Sequence, residues 1–309
     1  MNIHAKFFSK IGFNYLILGI SAIIFQIIIL NIVNVTNPQY LNDYTTMSII
    51  SAVCTYFLPF PIFYWLTKKI SSTQIEKRSV GIKTFIIYAG ITLTLMWIGN
   101  YIGLTITSLL SSTMQSDIAN PVQELINGAD VWFNIIIISM VGPIFEEIIF
   151  RKFLIDRTIK YGARVSIILS AVLFALFHGN LNQFFYALFM GGFLAYVYIR
   201  TGKITYTIIL HCIVNLMGSV VSVFIVDAAN NLQTGGNPVD MIIIIAYILL
   251  LISILIIGVY GLTKYKKAKF NGEKTEIALE YPYTTMFINL GMICFAAFYI
   301  FEMVYQVMG

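Results

Sequence analysis

Glu146 and Glu147 stand side by side in GPIFEEIIFR (142–151), an otherwise apolar run that ends on Arg151. Two further polar sets follow: Phe174 and His178 in FALFH, and His211 and Asn215 in HCIVN. Residues four apart share a helix face. Glu147 is therefore placed to be held by Arg151, while Glu146, turned about 100° away at 3.6 residues per turn, is free to face another helix. A carboxylate withdrawn from bulk water is a competent base near neutral pH. A nearby histidine can share the proton and orient a water, and a second histidine with an amide on one face makes a donor pair for an oxyanion. Together these groups describe water attacking an amide carbonyl, with no Ser or Cys placed as nucleophile. The same atoms also read as a metal set: Glu146, His178 and His211 would suit zinc with an open position, although the H-E-x-x-H signature of soluble metalloproteases is absent. No cofactor is expected, with zinc the alternative. Taken singly, an intramembrane His or Asn is commonly interhelical glue worth about 0.6 kcal/mol. Two acids, one arginine and two histidines gathered in three spans are harder to dismiss as packing.

The elements that must position them are membrane helices. The chain has 309 residues, 59% hydrophobic and 11% charged, with a mean hydropathy of +0.84; a soluble domain carries roughly 25% charged residues. About 20 apolar helical residues cross a bilayer core of about 30 Å, and only helices or closed barrels satisfy their own backbone there. The runs are continuous rather than alternating. They predict nine spans, at about 14–33, 47–66, 84–110, 131–155, 165–182, 183–199, 204–226, 241–262 and 284–307. The expected fold is all-α: a single multi-pass domain over 1–309 of about eight to nine transmembrane helices, with its motif-bearing core at about 131–226. The first run is longer than the roughly 7–15 residues of a signal-peptide core and lacks a small-residue cleavage pattern after it, so it reads as a retained span. If Glu147 neutralises Arg151, the fourth helix can run on to about Asp156 or Arg157 and leave Glu146 well inside the bilayer, where a charge costs roughly 2.5–3.5 kcal/mol.

The connections sort by charge. Every Lys and Arg lies at the N-terminal end (Lys6, Lys10), after the second span (Lys68 to Lys83), at the end of the fourth (Arg151 to Arg164), after the sixth (Arg200, Lys203) or after the eighth (Lys264 to Lys274). The alternate connections hold only acids: Asp43, then Asp117, Glu124 and Asp130, then Asp227 and Asp240. Basic residues are retained on the cytoplasmic side, so the N-terminus is expected in the cytoplasm of a cell-membrane protein. Basic residues spread over loop ends argue against nucleic acid as a partner. The bilayer itself is one partner and a peptide or protein substrate the other; the oligomeric state leaves no mark on the sequence. Cys54, Cys212 and Cys294 have no paired spacing and read as small buried hydrophobes. Pro59 and Pro61 predict a kink in the second span, Gly191 and Gly192 a close helix contact, and Asn120–Pro121 a short surface helix.

In order and in successive spans, E-E-x-x-x-R (Glu146, Glu147, Arg151), F-x-x-x-H (Phe174, His178) and H-x-x-x-N (His211, Asn215) resemble the CPBP family, also called Abi, of CAAX proteases and bacteriocin-processing enzymes. The glycine-bearing sixth span and the RTGKI turn are similar as well, and the resemblance covers roughly 131–226. It implies an intramembrane glutamic endopeptidase of the type II CAAX prenyl protease kind, acting near the cytoplasmic face. Glu146 would be the base, acting with His178 on water. His211 and Asn215 would hold the oxyanion, and Glu147, Arg151 and Phe174 would order the site. The competing classes are a non-catalytic bacteriocin immunity or scaffold protein on the same fold, and a transporter using the Glu–His cluster as a proton relay. Missing inverted repeats weigh against the transporter.

Overall fold

Apolar runs of this length leave the chain little choice but helix, and among the residues the computed structural model describes (2–115, 118, 120–128, 130–265 and 276–308) every regular element is helical. The elements are α1 Ile3–Thr36, α2 Tyr44–Thr67, α3 Ile82–Met114, α4 Pro121–Gly128, α5 Val131–Tyr161, α6 Ala163–Phe177, α7 Leu181–Thr201, α8 Ile204–Gln233, α9 Pro238–Tyr265, α10 Pro282–Phe287 and α11 Leu290–Met308. Eight of them are long and apolar enough to cross a membrane; α6 is shorter, and α4 is the short helix expected after Asn120. The protein is an all-α, multi-pass bundle. Asp117, Lys266, Lys267, Lys269 and Lys274, all used in the charge sorting, lie outside the described residues.

Two expected spans are cut differently. The fifth was expected to reach residue 182, but α6 stops at Phe177 and His178 is its C-cap. Gly179 then takes the left-handed conformation (φ +62°), which glycine adopts without a Cβ clash. The Asn180 side chain accepts from Gln183 N–H at 2.9 Å and starts α7, an N-cap. His178 thus sits on a turn rather than within a helix. The ninth span is broken between α10 and α11, where Asn289 Oδ1 accepts from Met292 N–H at 3.1 Å and its amide donates to Met286 O at 2.9 Å.

In the bundle, α7 packs along α3 and α6, α9 lies against α3, α1 runs beside α11 and the second half of α2, and α8 lines the first half of α5. The buried core is aromatic and aliphatic, and Phe63, Phe150, Phe174, Leu169 and Leu194 are wholly buried. Most large apolar side chains of α9 and of the second half of α1 face outward, as lipid-facing surfaces do, whereas Phe8, Ile11, Tyr15 and Leu18 in the first half of α1 belong to the core. Gly99 and Gly103, a G-x-x-x-G pair, allow α7 to press its first turns onto α3: a Cβ on Gly99 would lie 2.4 Å from Tyr186 Cα, and one on Gly103 2.7 Å from the Asn182 carbonyl. Small residues at this spacing let membrane helices touch backbone to backbone. Gly99→Ala is expected to destabilise the bundle by about 1–3 kcal/mol, the usual cost of overpacking, read as a lowered thermal midpoint of the detergent-solubilised protein. The equivalent change at Gly81, where a Cβ meets nothing within 4 Å, is the silent control.

Candidate active site

The helix that carries the two glutamates changes register around them. α5 is π-helical over Asn134–Val141 and again over Ile148–Phe153, and the α-helical turn Gly142–Glu147 lies between. π segments are rare and gather at functional sites. Here they strand carbonyls. The Gly142 N–H bonds Ile137 O, five residues back, and Pro143 has no N–H to continue the pattern to Ile138. Asn215 Nδ2, from α8, donates to Ile138 O at 2.8 Å instead. Further along, Ile149 O accepts from Tyr15 OH at 2.6 Å and Phe150 O from Ser170 Oγ at 2.8 Å. Three other helices therefore pin the site helix through its own backbone.

Glu147 is wholly buried and its oxygens are divided. Oε2 lies 3.2 Å from Arg151 Nε, one turn on, and Oε1 lies 2.9 Å from His211 Nδ1. The other nitrogen of His211, Nε2, lies 3.6 Å from Glu146 Oε2. Glu146 Oε1 accepts a hydrogen bond from Tyr56 OH at 2.9 Å. Glu146 keeps 15% of its side chain exposed, against none for Glu147 or Arg151; the two acids occupy different environments although they are adjacent in sequence. His178 Nδ1 is 2.7 Å from the Phe174 carbonyl. A carbonyl only accepts, so Nδ1 carries the proton and Nε2 keeps its lone pair. Phe174 meets three of these groups: the Arg151 guanidinium carbon lies 4.4 Å from its ring centre, and the rings of His178 and His211 meet it edge-on at 4.7 and 5.7 Å. Gly191 makes room for it, since a Cβ there would lie 2.8 Å from Phe174 Cδ1.

Glu146, His178, His211 and Asn215 line one cavity of about 620 Å³. Beyond them its wall is uncharged and mixed, with polar Ser48, Thr55, Asn100, Asn182 and Gln183 beside apolar Met96, Phe133, Ile137 and Val214. The structure thus brings together every site residue expected from the sequence and adds one partner for Glu146, Tyr56, beside the expected His211. Among the described residues no group of three or more His, Cys, Asp or Glu side chains is arranged to hold a metal ion. The arrangement offers one carboxylate open to the cavity, an imidazole nitrogen free to accept, and a second imidazole bridging the two acids. It can take a proton from a water in the cavity and pass it on.

Tyr56 escaped the sequence reading. It is one of 19 tyrosines, it lies on α2, and nothing local distinguishes it from a tyrosine at a lipid interface. Its only sequence signal is the neighbouring Pro59, because proline withdraws an N–H and the helix is π-helical over Val53–Phe57. Removing the Tyr56 hydroxyl takes away a donor to a carboxylate, a hydrogen bond worth roughly 1.5–3 kcal/mol. Tyr56→Phe is expected to shift a carboxyl band in the infrared spectrum of the purified protein, and to shift nothing when Glu146 is already Gln.

Residues 128–217 match the family model described as type II CAAX prenyl endopeptidase Rce1-like. All the paired polar residues, from Glu146 to Asn215, fall inside that match, and Tyr56 falls outside it. A curated protein of Bacillus subtilis (strain 168), named "Putative membrane peptidase YdiL", is 34% identical over 113 residues, which cover 35% of this chain and 44% of that protein. The chain thus spans less than half the length of the curated relative it matches. No solved structure matches.

Proposed function

We propose, on the match of residues 128–217 to the type II CAAX prenyl endopeptidase Rce1-like model, that this chain is an intramembrane endopeptidase that hydrolyses a peptide bond in a membrane-associated peptide or protein. The observation that carries the reading is the contrast between its adjacent acids: Glu146 opens to the cavity, while Glu147 is sealed between Arg151 and His211.

Glu146 takes a proton from a water that His178 Nε2 helps to orient, and the water oxygen bonds to the scissile carbonyl carbon. The carbonyl oxygen becomes an oxyanion. With Nδ1–H given to Glu147, His211 offers an Nε2–H only as the imidazolium, and in that form it and the Asn215 amide N–H not spent on Ile138 are the donors available to the oxyanion. The proton held by Glu146 passes to the amide nitrogen, the C–N bond breaks, and carboxyl and amine products leave. Glu147, Arg151 and Phe174 hold His211 and His178 in place. No resident metal is part of this scheme, and cleavage should persist after chelation. The N-terminus and the basic connections are assigned to the cytoplasmic side.

The test compares peptides recovered from cells carrying the wild-type chain with those from cells carrying Glu146→Gln at matched membrane levels. Peptide termini present only with the wild type are the expected result. Identical peptide sets would sink the reading and favour a non-catalytic membrane factor.

A further inference from the structure

The cavity occupies only one end of the bundle. On α2 its lining residues run from Ser48 to Tyr56, on α5 from Phe133 to Glu146, and on α7 from Asn182 to Tyr186; α6 contributes only its last residue, Phe177. On α8 the lining begins at His211 and goes toward Ser219. On α2 and α5 these stretches are the halves nearer Asp43 and Asp130, on α7 the first turns after the uncharged 178–180 turn, and on α3 and α8 residues toward mid-helix (Met96, Asn100; His211 to Ser219), and the wall reaches α4 with the exposed Gln123. Glu146 and His211 are the floor.

Below that floor the bundle is shut. Glu147, Phe150, Arg151, Ile155 and Thr158 are wholly buried. The basic connection 68–81 is tied across this end: Thr73 N–H donates to Asp156 O at 2.5 Å, Arg78 N–H to Thr201 O at 2.7 Å and Lys203 Nζ to Ser79 Oγ at 2.6 Å. Arg157 Nε donates to Thr67 O at 3.0 Å, and Ile277 N–H to Lys160 O at 3.0 Å. The expectation of cleavage near the basic face therefore meets a closed face.

From this, and resting on the peptidase reading above, we infer that the site is entered from the extracytoplasmic side and takes an extended, uncharged stretch of a peptide that has already crossed the membrane. The side follows from charge: lysines and arginines mark the cytoplasmic face, and the cavity lies at the opposite one. The ligand chemistry follows from the wall. Glu146 is its one carboxylate among the described residues, and the remaining polar lining is amide, hydroxyl and the imidazoles of His178 and His211, set among apolar side chains such as Met96, Phe133 and Val214. Asn182 is 3% exposed, and neither its side-chain oxygen nor its nitrogen has a hydrogen-bond partner among the described residues. A buried amide left without partners is costly, and one donor beside one acceptor is the complement of a peptide unit. The amides also suit a main chain better than a hydrocarbon group, which would leave them unpaired.

Access is tested without catalysis. In a chain with Cys54, Cys212 and Cys294 replaced by Ala, Gly218→Cys puts a thiol on the cavity wall, where a Cβ meets nothing within 4 Å. Lys77→Cys puts one on the exposed basic connection. A membrane-impermeant maleimide added to intact spheroplasts should label Gly218→Cys and spare Lys77→Cys until the membrane is permeabilised. Protection of Gly218→Cys in intact spheroplasts overturns the proposal, as does labelling of Lys77→Cys from outside. If the cysteine-free chain misfolds, the same two variants in the native-cysteine chain are read above its background. For the ligand, Glu146-dependent cleavage sites should map to extracytoplasmic segments, and cytoplasmic sites overturn the substrate class. With one such cleaved peptide as the probe, Asn182→Leu should raise KM about tenfold, as loss of one to two hydrogen bonds does, with kcat within about twofold; an unchanged KM removes Asn182 from the binding wall. Absence of any Glu146-dependent cleavage fells the peptidase reading and the substrate class with it, while the labelling result still decides which side the cavity faces.

Discussion

Glu146→Gln should fold, insert and lose its cleavage of membrane-associated peptides by about 10²–10⁴-fold, the range a positioned general base contributes. Gln keeps the shape of Glu and an oxygen to accept from Tyr56 OH, the 2.9 Å contact that fixes the carboxyl. It cannot take a proton from water. It also removes one of two negative charges from adjacent residues, one of which is wholly buried, so the thermal midpoint should stay level or rise. The paired measurement is therefore cleavage rate and unfolding of the same purified preparation. Loss of rate with retained stability identifies the carboxylate as a reacting group. A Glu146→Gln protein that cleaves as fast as wild type would require the base to be elsewhere, and Glu147, with no exposed side-chain surface and two committed oxygens, has no route to a water in the cavity.

The largest effect on stability should come from Arg151. The Arg151 and Glu147 side chains have no exposed surface, 3.2 Å apart at their nearest atoms. Removing one member of a buried pair strands the other and costs about 3–5 kcal/mol, whereas replacing both by neutral groups of similar size is often close to neutral. Arg151→Met should lower stability by that amount or fail to accumulate. Glu147→Gln should cost less, because the amide still has His211 as a hydrogen-bond partner. The double variant Glu147→Gln with Arg151→Met should recover much of the loss of Arg151→Met alone. Unfolding of all four proteins in one detergent closes the double-mutant cycle. Simple additivity would mean that Arg151 acts through its stacking on Phe174 rather than through Glu147. In the double variant the His211 ring would lose its charged anchor, so recovered stability without recovered cleavage is the expected combination.

Much of the fold was legible because membrane helices are written locally. A run of apolar residues must be helical where water cannot satisfy the backbone, and the expected limits of α2, α3, α7 and α9 lie within four residues of those observed, whereas α1 begins at Ile3 rather than near Asn14. The two unexpected breaks were also local. The turn at His178, Gly179 and Asn180 carries a left-handed glycine and an asparagine cap, and Asn289 caps the break before α11; both were overlooked beneath the hydropathy of their surroundings. The G-x-x-x-G pair at Gly99 and Gly103 was another readable signal.

By itself the sequence determined which residues share a helix face, and so that Glu147 meets Arg151 while Glu146 does not. That relation is a consequence of 3.6 residues per turn and needs no second helix. Which groups reach Glu146 was decided only by the tertiary structure, since Tyr56 and His211 are 90 and 65 residues away in the chain. The same is true of the cavity's position at one end of the bundle. Helix periodicity fixes the direction of a side chain around its own axis; the rotation and depth at which helices pack fix what it faces, and those depend on contacts such as Gly99 against Tyr186 and Asn215 against the carbonyl freed by Pro143.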